Sequence, residues 1–275
     1  EGRPLLAAAR RACEPLRTRA NGQSAPAPSD VNLVLTAALA LVPIDEALQS
    51  DLATRLTEYI RKAAREAKVH TSWLDPDQAY ESACGSFVER LFGEAGTTVR
   101  SELVELATRT RGRALQDSVS LVFLKCLGPG VPDVYQGCET LDLSLVDPDN
   151  RRPVRWSENA ELLRSVRDDW EKRRTLTLPE GISDSAQSAA KLALTWRALS
   201  IRRWLLSEGG PIRITDWHMS SARWRWAFRA GAITGDVWVN LTDGQACPGT
   251  TGFNQIPTSR PSPFGLVLEN VAELI

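Results

Sequence analysis

Lysine, histidine and methionine are all scarce in this chain. Of its 33 basic residues only five are lysine, at positions 62, 68, 125, 172 and 191, which leaves 28 arginines. Such an excess serves phosphate or DNA recognition when it gathers on one face. Here no basic cluster forms, the net charge is −1 and charged residues make up 24% of the chain, so the arginines read as a coding bias. Neither nucleic acid nor a membrane has an electrostatic footprint to bind. The only histidines are His70 and His218, and no C-x-x-C occurs, which excludes the usual zinc and iron ligand sets. No metal and no cofactor is expected. The five cysteines (13, 84, 126, 138 and 247) are widely spaced and odd in number. That argues against a disulfide framework and for a reducing, cytoplasmic compartment. No apolar run reaches membrane-spanning length and no signal-peptide pattern opens the chain. The chain begins with Glu1 rather than Met and reads as a piece of a longer protein.

With 275 residues and 43% hydrophobic content the chain has material for a sizeable core and for two domains. The first twenty residues favour helix by propensity, and Asn21 to Ser29 interrupts it as a loop. Asp30 is the expected N-cap of a second helix ending near Pro43. Between Asp51 and Lys68, apolar Leu52, Leu56, Tyr59, Ile60, Ala63 and Ala67 share one helical face. Tyr80 to Leu91 repeats that pattern, and a further helix is expected around 99–109. Residues 114–127 are apolar on most faces, which predicts a helix buried between layers. Gly128-Pro129-Gly130 ends it, and Val131 to Tyr135 reads as a strand.

Further on, helices are expected over 158–173 and 192–206. Alternation in Arg223-Trp224-Arg225-Trp226-Ala227-Phe228-Arg229 marks a half-buried strand, with Val237 to Leu241 as its partner across a Gly231/Gly235 loop and Ile212 to Ile214 as a third. Trp224, Trp226 and Trp238 read as core in preference to a sugar-binding stripe. The tail from Gln245 to Pro263 reads as irregular, and no internal repeat is present.

The most informative stretch is residues 129–156, PGVPDVYQGCETLDLSLVDPDNRRPVRW. Asp147-Pro148-Asp149-Asn150 is turn chemistry, because proline fixes φ and Asp or Asn side chains bond their own backbone. Carboxylates, an amide and the guanidinium forks of Arg151 and Arg152 on one loop make a dense, directional hydrogen-bond field of the kind that sugars need. The bland alternative is a solvated turn of internal ion pairs, with Tyr135 packed in place and Glu139 capping a turn. A second stretch, Arg65 to Trp73, also has two readings. Lys68 and His70 either cap the negative end of a helix with Trp73 buried, or Trp73 stacks on a sugar ring with Lys68 and His70 as hydroxyl partners.

Gly130, Pro132, Tyr135, Gly137 and Glu139 match the G-x-P-x-x-Y-x-G-x-E pattern at the final barrel strand of α-amylase-type enzymes. The continuation Leu145 to Pro153 and the block Arg65-Glu66-Ala67-Lys68-Val69-His70-Thr71-Ser72-Trp73 are similar to malto-oligosyltrehalose synthases, and the resemblance covers about 33–241. It implies an α/β, helix-rich fold: a helical insertion over 1–112, the last helix–strand–helix elements of a (β/α)₈ barrel over 113–178, and a linker helix with a small β-sandwich-like antiparallel domain over 179–275. Loops after barrel strands build the active site in such folds. It further implies a malto-oligosaccharide substrate, bound by Lys68, His70, Trp73, Tyr135, Gln136, Glu139, Asp147, Asp149, Asn150, Arg151 and Arg152.

The family's reaction rearranges the reducing-end α-1,4 bond to an α,α-1,1 bond. Retaining chemistry of this kind needs two carboxyl groups about 5–5.5 Å apart. No match to the family's catalytic motifs, on earlier barrel strands, occurs here. The resemblance therefore assigns no catalytic residue to this chain, makes the missing N-terminal barrel segment its partner, and implies no activity in isolation. Cys138, Leu141, Val134 and Arg155 depart from the family's usual residues and bear on the fine shape of the site. Two alternatives stay open, a neighbouring amylase-type hydrolase or transferase and a non-catalytic glucan-binding or partner protein derived from one.

Overall fold

The computed structural model describes residues 2–41, 51–146, 149–173, 184–220, 223–240 and 264–269. These form two compact units, one built from 1–111 with 143–153 and the other from 112–142 with 154–275. The element order is α1 (Gly2–Cys13), β1 (Thr18–Ala20), β2 (Gln23–Ala25), α2 (Pro28–Leu41), α3 (Leu52–Ala67), α4 (Gln78–Phe92), α5 (Thr97–Leu127), α6 (Trp156–Arg173), α7 (Asp184–Glu208), β3 (Ile212–Met219), β4 (Arg223–Ala230), β5 (Ile233–Asn240) and β6 (Phe264–Glu269). The outline is helix-rich with a small antiparallel sheet, as expected. No helix among the described residues is long and apolar enough to cross a membrane.

In the first unit, periodicity translates directly into packing. Leu52, Leu56, Ile60 and Ala64 of α3 repeat every four residues and all are buried. Leu52, Leu56 and Ile60 join Val34 and Leu35 of α2 and Phe87, Val88 and Leu91 of α4 in one apolar core. Each such side chain, fully buried, stabilises the fold by about 1.5–3 kcal/mol. The expected N-terminal helix stops at Cys13, because Asn21 (φ 51°) and Gly22 (φ 80°) turn the chain into a hairpin with Thr18 opposite Ala25. Asp30 is not an N-cap. The helix begins at Pro28, which supplies a fixed φ and no amide donor, and Asp30 falls in the first turn, where its carboxylate accepts from the Tyr80 hydroxyl.

The two helices expected at 99–109 and 114–127 are one 31-residue helix, α5. Thr110 to Gly112 carries no proline, and one glycine does not break a helix of this length. Among the described side chains of this segment Val122, Cys126 and Leu127 are buried, whereas Leu121, expected to be buried, is 60% exposed. Residues 131–135 form no strand. Neither sheet includes them, so their backbone has no ladder partner, and Val131 is 94% exposed.

In the second unit four antiparallel strands lie in the order β3-β4-β5-β6. Trp226 sits opposite Val237, and with Phe228 and Ile212 it packs on Leu194, Ala198 and Leu205 of α7. The facing layer is a helix, so among the described residues this is helix on sheet and not a sandwich. Trp226 is core, as the alternation predicts; the side chains of Trp224 and Trp238 lie outside the described set. The turn before β5 uses Gly231 and Ala232, and Gly235 is within the strand opposite Phe228. The fourth strand, β6, was not expected, and the irregular tail expected over 245–263 lies outside the described residues.

Candidate functional site

The 65–73 block begins at the end of α3. Lys68 takes a left-handed conformation (φ 55°) and its amide donates to the Ala64 carbonyl at 3.2 Å, so a lysine closes the helix where glycine is usual. The chain then turns back toward α4, and a polar network fixes that turn. Arg65 donates two parallel bonds, both 2.7 Å, to the Glu81 carboxylate. Thr71 Oγ1 donates to the same carboxylate at 2.7 Å and accepts from the Asp77 amide at 3.0 Å. Asp77 caps α4 by accepting from the Tyr80 amide at 2.9 Å. The Arg65 hydrogen bond, with lesser contributions from Thr71 and the charges of Arg65 and Arg61, holds Glu81 below the usual carboxylate range against the opposing effect of burial.

His70 does not reach back to the helix dipole. Its ring stacks on Tyr80 with centroids 4.5 Å apart. Trp73, buried in the capping reading, is 54% exposed, with the Arg65 guanidinium 4.9 Å from its ring centroid. The indole of Trp73 is thus half open, and Lys68 and His70 are exposed.

The 129–156 stretch divides between the units. In the second unit, Gly137 (φ 87°) opens a turn in which Cys138 donates its amide to the Tyr135 carbonyl at 3.0 Å. Tyr135 and Gln136 are exposed. Glu139 is half-buried, and its Oε2 is enclosed without a hydrogen-bond partner among the described residues. A buried carboxylate oxygen left open is costly unless a donor arrives. Lys191 of α7 lies close enough to interact electrostatically with Cys138, Asp142 and Glu139, while burial foremost pulls its own pKa down.

In the first unit Asp149 is enclosed by its own surroundings. Arg55 Nε donates to Asp149 Oδ1 at 2.7 Å, Arg55 Nη2 to Oδ2 at 2.9 Å, and the Leu145 amide to Oδ2 at 2.6 Å. Burial alone raises the Asp149 pKa. The Arg55 and Leu145 hydrogen bonds and the charges of Arg55 and Arg152 outweigh it, and the net shift is downward. Arg152 donates to the Ser144 hydroxyl at 3.0 Å and to the Asp149 carbonyl at 3.2 Å. Asn150 Oδ1 is buried and unpartnered among the described residues, Arg151 is exposed, and Asp147 lies outside them.

Lys68, His70 and Trp73 thus lie on one segment of the first unit, and Asp149 and Arg152 meet on another. Both places are anchored to α3, through Arg65 and Arg55, about 15 Å apart along the helix. These two arginines, with Glu81 and Thr71, are the residues the sequence reading missed. Arg55 and Arg65 fall on the polar face of α3, and nothing local shows that their partners are 94 and 16 residues away. Among the described residues no group of His, Cys, Asp or Glu could hold a metal ion.

The fold of this chain is similar to part of solved maltooligosyltrehalose synthase structures. The maltooligosyltrehalose synthase of Arthrobacter ramosus matches with a TM-score of 0.61 and 27% identity, over 84% of this chain and 28% of that one. A Sulfolobus tokodaii hypothetical maltooligosyl trehalose synthase matches with a TM-score of 0.67 over 96% of this chain and 33% of that one, at 22% identity, a likeness of fold. A Mycobacterium tuberculosis (strain H37Rv) protein named maltooligosyl trehalose synthase is 38% identical over 124 residues, 45% of this chain and 16% of its own length. No family model matches. The chain is similar to malto-oligosyltrehalose synthases over part of its length, as its two motifs indicated, and corresponds to their C-terminal portion. It spans about a sixth of the length of the curated relatives it matches.

Proposed function

We propose that this chain is the C-terminal part of an enzyme that converts the reducing-end α-1,4 linkage of malto-oligosaccharides to an α,α-1,1 linkage by intramolecular transglucosylation. In this reading residues 113–178 complete a (β/α)₈ barrel whose upstream segment carries the nucleophile, the acid/base and the third carboxylate. Residues 131–135 become a strand when that segment lies beside them. The isolated chain is inactive, and the working enzyme is cytoplasmic. The observation that carries this reading is the pair of motif loops, in the family's order, on a chain whose fold follows synthase structures over most of its length.

The two buried salt-bridged carboxylates support the same division of labour. Glu81 and Asp149 are fully engaged by arginines and so are poor nucleophiles or proton donors. Trp73 offers an apolar ring face to a glucose, Lys68 and His70 offer donors, and the open Glu139 oxygen accepts a hydrogen bond from a hydroxyl. Tyr135 and Gln136 on the loop of the second unit, and Asp147, Asn150, Arg151 and Arg152 in the first, are the further sugar partners in this reading, and Asp149 braces the latter segment through Arg55 and Leu145. Transfer in place of hydrolysis requires that the freed glucose be held while water is kept out, a task for loops braced as these are.

The decisive test is the coding DNA upstream of Glu1. A frame that continues into an amylase-type barrel with its three carboxylates is the expected result. A start codon directly before Glu1 would overturn the composite enzyme and leave a free-standing glucan-binding protein. Trehalose-capped product from the isolated chain, above a buffer control, would overturn the claim of inactivity.

A further inference from the structure

The geometry points to α7 as the element that positions the 128–142 loop, with Arg202 as its positioning residue. Arg202 is 8% exposed and has no carboxylate partner among the described residues. Its guanidinium is spent wholly on backbone. Nη1 donates to the Cys126 and Gly128 carbonyls, both at 2.8 Å, and Nη2 donates to the Gly130 carbonyl. These carbonyls belong to the last turn of α5 and to the first and third residues after it, where a helix leaves acceptors unpaired and its dipole is negative. A cation on that spot satisfies three acceptors at once and fixes the direction in which the chain leaves the helix.

The backbone there tolerates little else. A Cβ on Gly128 would lie 2.7 Å from the Leu124 carbonyl oxygen, and Gly130 has φ 86°. Four turns earlier on the same helix, Ser188 Oγ accepts the Leu141 amide at 3.3 Å, at the far end of the loop. Lys191, one turn on, faces Cys138, Asp142 and Glu139. The loop bearing Tyr135, Gln136 and Glu139 is therefore held at both ends by one helix, whose adjoining apolar strip of Leu194, Ala198, Ile201 and Leu205 shares a core with the sheet. The sheet's role in this account is mechanical: it backs the helix that aims the loop.

The identity of what the loop receives, a malto-oligosaccharide, rests on the function proposed above; the positioning claim does not. Both are tested on the whole 275-residue chain with Arg202→Ala, Arg202→Lys and, as a core control, Leu205→Ala. Amide hydrogen exchange over 128–142 is expected to rise about tenfold or more in both Arg202 variants, since a charge-assisted bond to several acceptors is lost, while amides of 223–240 keep their protection. Lysine is not expected to rescue, because its single ammonium cannot span three carbonyls as a planar fork does. Leu205→Ala should instead speed exchange in the sheet. Unchanged loop exchange in either Arg202 variant, or equal loss of protection in loop and sheet, would overturn the positioning role. Maltoheptaose titration forms a separate arm. Binding by the parent chain that weakens in Arg202→Lys with the sheet intact supports the coupled reading. Absence of binding by the parent chain counts against the glucan reading alone, and the exchange result still decides Arg202.

Discussion

The two loops that carry the motifs are braced by different chemistry. The 68–77 loop is held by paired side-chain charges, Arg65 on Glu81 with Thr71 and Asp77 in the same network. The 128–142 loop is held by a guanidinium on backbone carbonyls, with Gly128 where a Cβ would not fit and Gly130 where φ is positive. A carboxylate can be neutralised by a proton; a peptide carbonyl cannot within any ordinary pH range. The first unit should therefore loosen in acid before the second, and the difference is open to direct test.

The largest expected effect comes from removing a buried carboxylate. Asp149→Ala leaves the Arg55 guanidinium and the Leu145 amide facing each other and should cost about 3 kcal/mol, read by denaturant unfolding. Second is the pH dependence. Glu81 and Asp149 both have depressed folded-state pKa values, so their stabilisation is fully present above the ordinary carboxylate range near about 4 and is lost as pH falls below it toward the folded values. Thermal unfolding followed from pH 7 to pH 3 should show this loss for amides of the first unit, and Asp149→Asn should flatten it. Third, Gly130→Ala places a side chain at φ 86° and should cost about 1 kcal/mol, at all these pH values alike. The smallest effect on stability belongs to Trp73→Ala. The ring is half exposed, so unfolding should shift by less than about 1 kcal/mol. In a complete enzyme, however, the same change should raise the Michaelis constant for malto-oligosaccharide, and an unchanged value would return Trp73 to a purely local role.

What the sequence disclosed and what it concealed divide along the same physical line. Elements held by local periodicity were legible: α3 and α4 lie within two residues of their expected ends, and the alternating strand 223–229 pairs as its pattern requires. The hairpin at 18–25 was missed although Asn21-Gly22 is the strongest short signal for one, because the alanines and arginines around it favour helix. The strand at 131–135 failed for the opposite reason. Its residues suit a strand, but a strand exists only beside another, and no described neighbour pairs with it. In the two motif loops, the partners that brace them, Arg55, Glu81 and Arg202, were not legible, because the residues they hold are far away in sequence or bonded through backbone.

The cysteines, few and far apart, have a use that follows from where they sit. Cys13, Cys84 and Cys126 are buried, and burial drives their thiols upward, to about 11 for Cys13 and about 12 for Cys84. Only the thiolate attacks an alkylating reagent, so at neutral pH these three are protected twice, by access and by protonation. Cys138 is half open. Among the four described cysteines, iodoacetamide would mark Cys138 first and reach the others only when their surroundings open. Since Cys13 and Cys84 belong to the first unit and Cys126 to the second, the order in which labels appear in a mass spectrum would time the opening of each unit separately, in the unaltered chain.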